Sequence, residues 1–358
     1  MSRPARALVD AGALKHNLQQ VRLRAPQARV MAVVKANAYG HGLAWVARVL
    51  NDAVDAFGVS SIEEGIQLRE AGVTQPICLL EGFFTADELP LLAKHRLAPT
   101  IHHATQIKAL AQASPTLRLA VWFKIDTGMH RLGFTPSEAP DALKKLRSSP
   151  AVAEIRVMSH LARADIPSDP ETKSQTDSFH AVTNDLGLES SLANSAGILA
   201  WPQSHFDWVR PGIMLYGVSP MEQQSAAQLN LKPVMTLQTA LIAVHPRRQG
   251  EAIGYGGDWR CPQDMPVGVA AIGYGDGYPR HATPGTPVLV NGQRAPLVGR
   301  VSMDMITLDL RTQPNANVGD PVVLWGQGLP IEEVARNAGT VSYELLCHVT
   351  DRILRVEI

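Results

Sequence analysis

Residues 30–35 read Val30-Met31-Ala32-Val33-Val34-Lys35, an apolar, β-branched run that stops at a lysine. Such a run suits a buried strand. A lysine at its end sits at the rim of a core, where desolvation disfavours the ammonium and frees the amine to attack a carbonyl. Tyr39, Gly40 and Gly42 follow, and they let a phenol and bare backbone approach a ligand closely. On this stretch alone, a lysine snorkelling to water is the simpler reading. The decision rests on what surrounds it.

Working outward, strand-like segments recur at 56–60, 76–80, 97–101, 118–124, 153–158, 190–193 and 207–210, with helical patterns between most of them. Ser61-Ile62-Glu63-Glu64 has an N-cap and an acidic first turn. Thr85-Ala86-Asp87-Glu88 has the capping-box pattern. Such alternation argues for a parallel sheet. Counting 30–34, the eight strands predict a closed (β/α)8 TIM-type barrel. After about residue 225 the pattern changes. Val234–Val244, Val267–Ile272, Pro287–Val290 and Val322–Leu324 read as strands, Asn291-Gly292 as a hairpin turn and Ile331–Ala338 as one helix. The prediction is an N-terminal barrel over 1–225 and a C-terminal mainly β domain over 226–358. The first few residues are expected to pack on the β domain, and Ser219-Pro220 with the polar stretch 222–228 serves as linker.

Composition narrows the function classes. The 358 residues are 45% hydrophobic, enough for a large core, and the 33 basic residues match 33 acidic ones. That balance gives no footprint for nucleic acid or an anionic membrane. No run of about 18 apolar residues is present, as a membrane span would need. Met1-Ser2-Arg3-Pro4-Ala5-Arg6 is not followed by the apolar segment of a secretory signal. Cys78, Cys261 and Cys347 are scattered and odd in number, which suits a reducing cytoplasm and offers no metal set.

In a barrel, chemistry sits where the strands end. Lys35 follows the first strand; Lys124 ends the fifth and leads into Asp126-Thr127-Gly128-Met129-His130-Arg131. His160 follows the sixth, Asn194-Ser195 the seventh and Arg210-Pro211-Gly212-Ile213 the eighth. Singly, each has a structural explanation; five on one face do not. The residues after strands seven and eight suit a phosphate, with a Ser195 hydroxyl and the open backbone of Gly212. A phosphate cradle opposite a reactive lysine suggests pyridoxal 5′-phosphate.

Six segments carry a more specific signal: Ala32–Gly42, Asp126–Gly133, Asn194-Ser195-Ala196, Arg210–Gly217, Gly254-Tyr255-Gly256 and Gly299–Asp304. In this order, over essentially the whole chain, they resemble the alanine racemases. The resemblance implies a barrel plus β domain, pyridoxal 5′-phosphate, alanine as substrate and a homodimer with shared sites. It implies that Lys35 holds the cofactor and acts on the D side, with Tyr255 acting on the L side. Two groups are needed because one rigid base would tend to return the proton to the face it left. Lysine and tyrosine ordinarily titrate near about 10.4 and 10, so both must be lowered to act as bases near neutrality.

The same resemblance brings Tyr255, Met303 and Asp304 from the partner subunit, with Met303 helping to hold the substrate carboxylate. It sets Arg210 against the ring nitrogen and Arg131 against the phenolic oxygen and substrate. Lys124 matches a lysine that is often carbamylated and then fixes Arg131. His160 is expected near the ring, donating toward Arg210. Tyr39, Ser195, Gly212, Ile213 and Tyr343 match the phosphate set, with Asn194 beside them. Asp165, Tyr274, Arg280 and Arg300 match a polar access corridor. The stretch Thr350–Arg355 departs from the family's ending, and an altered terminus is expected there. The competing readings are a racemase of broader specificity and a non-catalytic cofactor-binding protein. D-alanine supply to peptidoglycan and D-alanine breakdown would use the same site.

Overall fold

The computed structural model describes residues 3–358. After a first strand, β1 (Arg6–Val9), come β2 (Arg29–Val33), β3 (Ala56–Val59), β4 (Ile77–Leu79), β5 (Leu97–Ile101), β6 (Leu119–Lys124), β7 (Val152–Met158), β8 (Ser190–Ser191) and β9 (Trp208–Val209). Strands β2 to β9 pair in parallel in sequence order, and Arg29 of β2 pairs with Trp208 of β9 to close the barrel. These are the eight segments read from the sequence. β8 and β9 are short because Ser190-Ser191 and Trp208-Val209 lie between turns, with little apolar run to extend.

Two buried clusters follow from strand alternation. One set of side chains packs outward against the helices in the large core. The other, Met31, Ala56, Cys78, Ala98, Trp122, Met158 and Trp208, points into the barrel. The helix Ile62–Glu70 starts at Ser61, whose side chain accepts from the Glu64 amide. The Thr85 capping box forms as well, on a 3-10 turn that leads into the helix Leu89–Lys94.

The rest of the chain builds β10 (Met235–Arg247), β11 (Ala252–Ile253), β12 (Trp259–Arg260), β13 (Met265–Ala270), β14 (Pro287–Val290), β15 (Gln293–Val298), β16 (Ile306–Asp309), β17 (Pro321–Trp325) and β18 (Leu354–Glu357). β1 lies between antiparallel β10 and parallel β18, so the chain's beginning and end share one eight-stranded sheet. Asn291 and Gly292, with φ of 50° and 77°, make the two-residue turn between β14 and β15. The sequence reading missed the short β1, β11 and β12, and also β15, β16 and β18, where arginine, glutamine, threonine and acids dilute the apolar pattern. It also missed a second helix, Ser342–Cys347.

The turn after β2 positions the lysine. Ala36, Asn37, Ala38 and Tyr39 have φ between 51° and 54°, a left-handed turn built without glycine. Each such residue costs roughly 1–2 kcal/mol, so the surroundings must hold it. The Ala36 amide donates to Glu64 Oε1 at 2.7 Å, and Asn37 Oδ1 accepts from the Leu43 amide at 2.8 Å. His41, fully buried, donates from Nδ1 to the Tyr39 carbonyl at 2.9 Å and stacks on Tyr216. Burial lowers the His41 pKa to about 4, so the ring is neutral. Gly40 has φ 77°, and a Cβ there would lie 2.0 Å from the Leu346 carbonyl oxygen. The helix Ser342–Cys347 therefore closes directly onto this turn, and Arg355 Nε donates to the Gly40 carbonyl at 2.7 Å.

Candidate active site

A cavity of about 1060 Å³ opens where the barrel strands end. Lys35, Lys124, Arg131, His160 and Arg210 line it, as do Tyr39, Asp165, Asn194, Ser195, Gly212, Ile213 and Tyr343. The residues read from separate strand ends thus converge on one space. Lys35, Lys124, Arg131 and Arg210 form no ion pair with any described carboxylate. Glu81, Asp165, Glu222 and Glu332 also line the cavity, and none of them pairs with the four cations, which favours an anionic ligand beside those cations.

Arg210 is the most fixed of them. It is 4% exposed. Its guanidinium donates to Ser191 Oγ at 2.6 Å, to the Leu192 carbonyl at 3.2 Å and to the Ser159 carbonyl. Burial lowers its pKa to about 10, which still leaves it charged near neutrality. The contact with His160 runs opposite to the sequence expectation. A guanidinium has no lone pair to offer, so Arg210 donates to His160 Nδ1 at 3.4 Å. Desolvation first, then Arg210, Lys124, Arg131 and Lys35, hold the His160 pKa well below the usual histidine value. The ring is therefore neutral and free to accept. Lys124, 8% exposed, has its pKa lowered to about 8, chiefly by desolvation and then by Arg210 and Arg131.

The corner beside β9 is built from hydroxyls and backbone. Ser195 Oγ accepts from the Gly212 amide at 2.9 Å and the Met214 amide at 3.3 Å, which leaves its own O–H proton to donate into the cavity. The Gly212 amide is thereby committed, so Gly212 serves by lacking a side chain: a Cβ would lie 2.5 Å from Tyr39 Oη. Ile213 begins a 3-10 turn, where amides lack intrahelical acceptors. Asn194 is used structurally, its Oδ1 accepting from the Gly197 amide at 3.0 Å and its Nδ2 donating to the Leu161 carbonyl. Tyr39 stacks on Tyr216 and tilts against Tyr343, whose pKa is raised to about 12 by burial and then Asp165. Ser159, Ser191, Glu64 and His41 support this site and escaped the sequence reading. Serines inside an apolar barrel were the signal available.

A second group of expected residues lies elsewhere. Tyr255, Tyr274, Arg280, Arg300, Met303 and Asp304 do not line the cavity of their own chain. Tyr255 is 70% exposed, Met303 53% and Tyr274 41%. Loop bonds hold them in place. The Tyr274 amide donates to the Ser302 carbonyl at 3.1 Å and the Gly275 amide to the Met303 carbonyl at 2.9 Å. Arg300 pairs with Asp258. Asp304 pairs with Arg352 at 2.6 Å, a residue of the segment that departs from the family's ending. Arg280 is exposed.

The model of the alanine racemase N-terminal domain matches residues 9–220, and that of the C-terminal domain matches residues 234–357. This chain belongs to the alanine racemase family. The alanine racemase of Nitrosococcus oceani is 57% identical over 350 residues, covering 98% of each chain. That of Coxiella burnetii is 48% identical over 360 residues, covering 99% of each. Among solved structures, the biosynthetic alanine racemase from Pseudomonas aeruginosa superposes with a TM-score of 0.97 at 47% identity, covering 99% of each chain. An alanine racemase from Acinetobacter baumannii gives 0.94 at 39% identity, over 99% of this chain and 100% of that one.

Proposed function

We propose that this alanine racemase family member interconverts L- and D-alanine, with pyridoxal 5′-phosphate in the barrel cavity and a second copy of the chain completing each site. The observation that carries this reading is the separation just described. Lys35 lies among unpaired cations in the cavity, while Tyr255 is exposed and outside it.

The residues fit the cofactor. The cradle at Gly212 would be filled by any Cβ, Ser195 has a proton to give, and Lys35, Lys124, Arg131 and Arg210 form no ion pair with a described carboxylate. When bound, the cofactor would supply an electron-withdrawing ring that acidifies the α C–H of an amino acid. Lys35 would hold the group covalently until the substrate amine takes its place, and the freed Nζ would then move a proton on the D side. Tyr255 of a second copy moves one at Oη on the L side. Arg210 can only donate, so it keeps the ring nitrogen unprotonated, and neutral His160 orients Arg210. Arg131, with Met303 of the second copy, holds the substrate carboxylate. Lys124, with its pKa lowered to about 8, has a larger neutral fraction than an ordinary lysine, and that neutral amine can add carbon dioxide and release a proton. The resulting carbamate anion then steadies Arg131. Asp165, with Tyr274, Arg280 and Arg300 from the second copy, lines the approach, and Asp304 supports Met303.

The exposed apolar residues Tyr255, Tyr274, Met303 and Met305 lie on or beside the loops joining β11 to β12, β13 to β14 and β15 to β16. Such a patch suits a subunit interface, here a homodimer. We place the protein in the cytoplasm, where Cys78, Cys261 and Cys347 stay as free thiols.

Mixing two inactive variants tests the shared site. A Lys35→Ala chain and a Tyr255→Phe chain, refolded together, should regain about a quarter of native alanine racemisation by random pairing. One site of each mixed dimer then holds both native groups. Circular dichroism of alanine reads the result, and no recovery on mixing would defeat the two-chain arrangement.

A further inference from the structure

The opposite end of the barrel holds a second cavity of about 310 Å³. It exists because three inward positions carry small side chains, Ala56, Cys78 and Ala98, beside Trp122 and Trp208. Bulky branched residues ordinarily fill such layers. Its walls are apolar and its rim is basic: Arg69, Arg96, Arg118 and Arg156 line it, against the single carboxylate of Glu154.

The four arginines are not equivalent. Arg156 lies over the Trp122 and Trp208 rings and is neutralised by Glu154 and Glu189. Arg69 donates to the carbonyls of Val73, Gln75, His95 and Arg96 and has no carboxylate partner. Arg96 and Arg118 make no described ion pair. Both stand immediately before a barrel strand and have positive φ, 51° and 47°. Glycine or asparagine suits that conformation, and arginine is strained there. Arg96 takes its φ at the end of the helix Leu89–Lys94 and Arg118 after the Ser114–Leu117 turn, and these turns bring both arginines to the rim of one basic and aromatic cavity.

We propose that this lower cavity is a second binding site, for a small carboxylate with a flat apolar body. The body would lie between Trp122, Trp208 and the small residues, with its carboxylate between Arg96 and Arg118. The volume suits one fused two-ring system, and guanidinium groups bind carboxylates in a planar, paired fashion. This inference does not rest on the racemase reading, because none of these arginines lines the upper cavity.

Calorimetric titration of the holoenzyme with 2-naphthoate tests it. Binding should weaken at least about tenfold for the neutral 2-naphthamide. The Arg96→Asn/Arg118→Asn double variant, which keeps a residue tolerant of positive φ, should weaken it equally. Ala98→Phe should abolish binding by filling the space. Saturating alanine should leave the affinity unchanged. No binding at millimolar 2-naphthoate, equal affinity in the double variant, or displacement by alanine would each overturn the proposal. If Ala98→Phe does not fold, the double variant, altered only at exposed positions, still decides.

Discussion

The barrel mouth and the loop face of the β domain carry residues of the same proposed reaction under opposite physical conditions. At the mouth, Arg210 and Lys124 are nearly inaccessible, and their charges are paid for by hydrogen bonds or by lowered pKa. On the loop face, Tyr255 and Met303 are largely exposed and contribute little packing. The mouth is thus part of the single chain's stability, whereas the loop face adds to stability only through the proposed dimer. Changes at the first should disturb the chain's folding and catalysis together; changes at the second should disturb catalysis and leave the single chain's fold intact.

The largest effects probe that contrast directly. Lys35→Ala should lower racemisation more than about 10³-fold and remove the visible absorbance of the bound cofactor. Tyr255→Phe should lower it about 10²- to 10⁴-fold with the absorbance and melting temperature retained. A drop in melting temperature for Tyr255→Phe would dissolve the distinction. Arg210→Met should cost stability as well, about 3 kcal/mol by urea unfolding, because Ser191 Oγ and the Ser159 and Leu192 carbonyls lose their donor.

Before carbon dioxide is added, Lys124 gives the chain a pH signature. Its folded pKa is about 8 against 10.5 for an unperturbed lysine. Between those values the unfolded chain binds the extra proton, so stability rises with pH across that window. Below it the penalty is present in full, on the order of 3 kcal/mol. Lys124→Met should flatten the rise, and an unchanged pH profile would contradict the assignment. Gly212→Ala should raise the cofactor's dissociation constant about tenfold by pressing on Tyr39 Oη, measured by dialysis. Smallest is Arg300→Ala, expected to raise KM roughly threefold, and less in high salt, with kcat held.

The sequence showed the barrel because parallel strands buried on both faces read as β-branched runs, as at 30–34 and 97–101. It lost strands such as β16, Ile306–Asp309, where threonine and aspartate alternate with apolar residues in a four-residue segment. The mouth was legible because its cations follow strand ends. The left-handed turn at Ala36–Tyr39 was not, since one asparagine, Asn37, among alanines and tyrosine gives little local hint of four consecutive positive φ angles. Nor was the direction of the Arg210–His160 bond, which depends on burial making the histidine neutral. The lower cavity escaped for a related reason: nothing in the local sequence marks Arg96 and Arg118, and the small inward residues Ala56, Cys78 and Ala98 come from three separate strands.

The turn that seats Lys35 bears on the order of events in synthesis. Its Gly40 packs against Leu346 and accepts a hydrogen bond from Arg355, 315 residues further along the chain. A ribosome that has made the whole barrel has still not made the residues that lock this turn. The turn that carries Lys35 is therefore locked only once residues 346 and 355 exist. A chain cut before Leu346 would keep the barrel strands and lose the contacts that hold this turn.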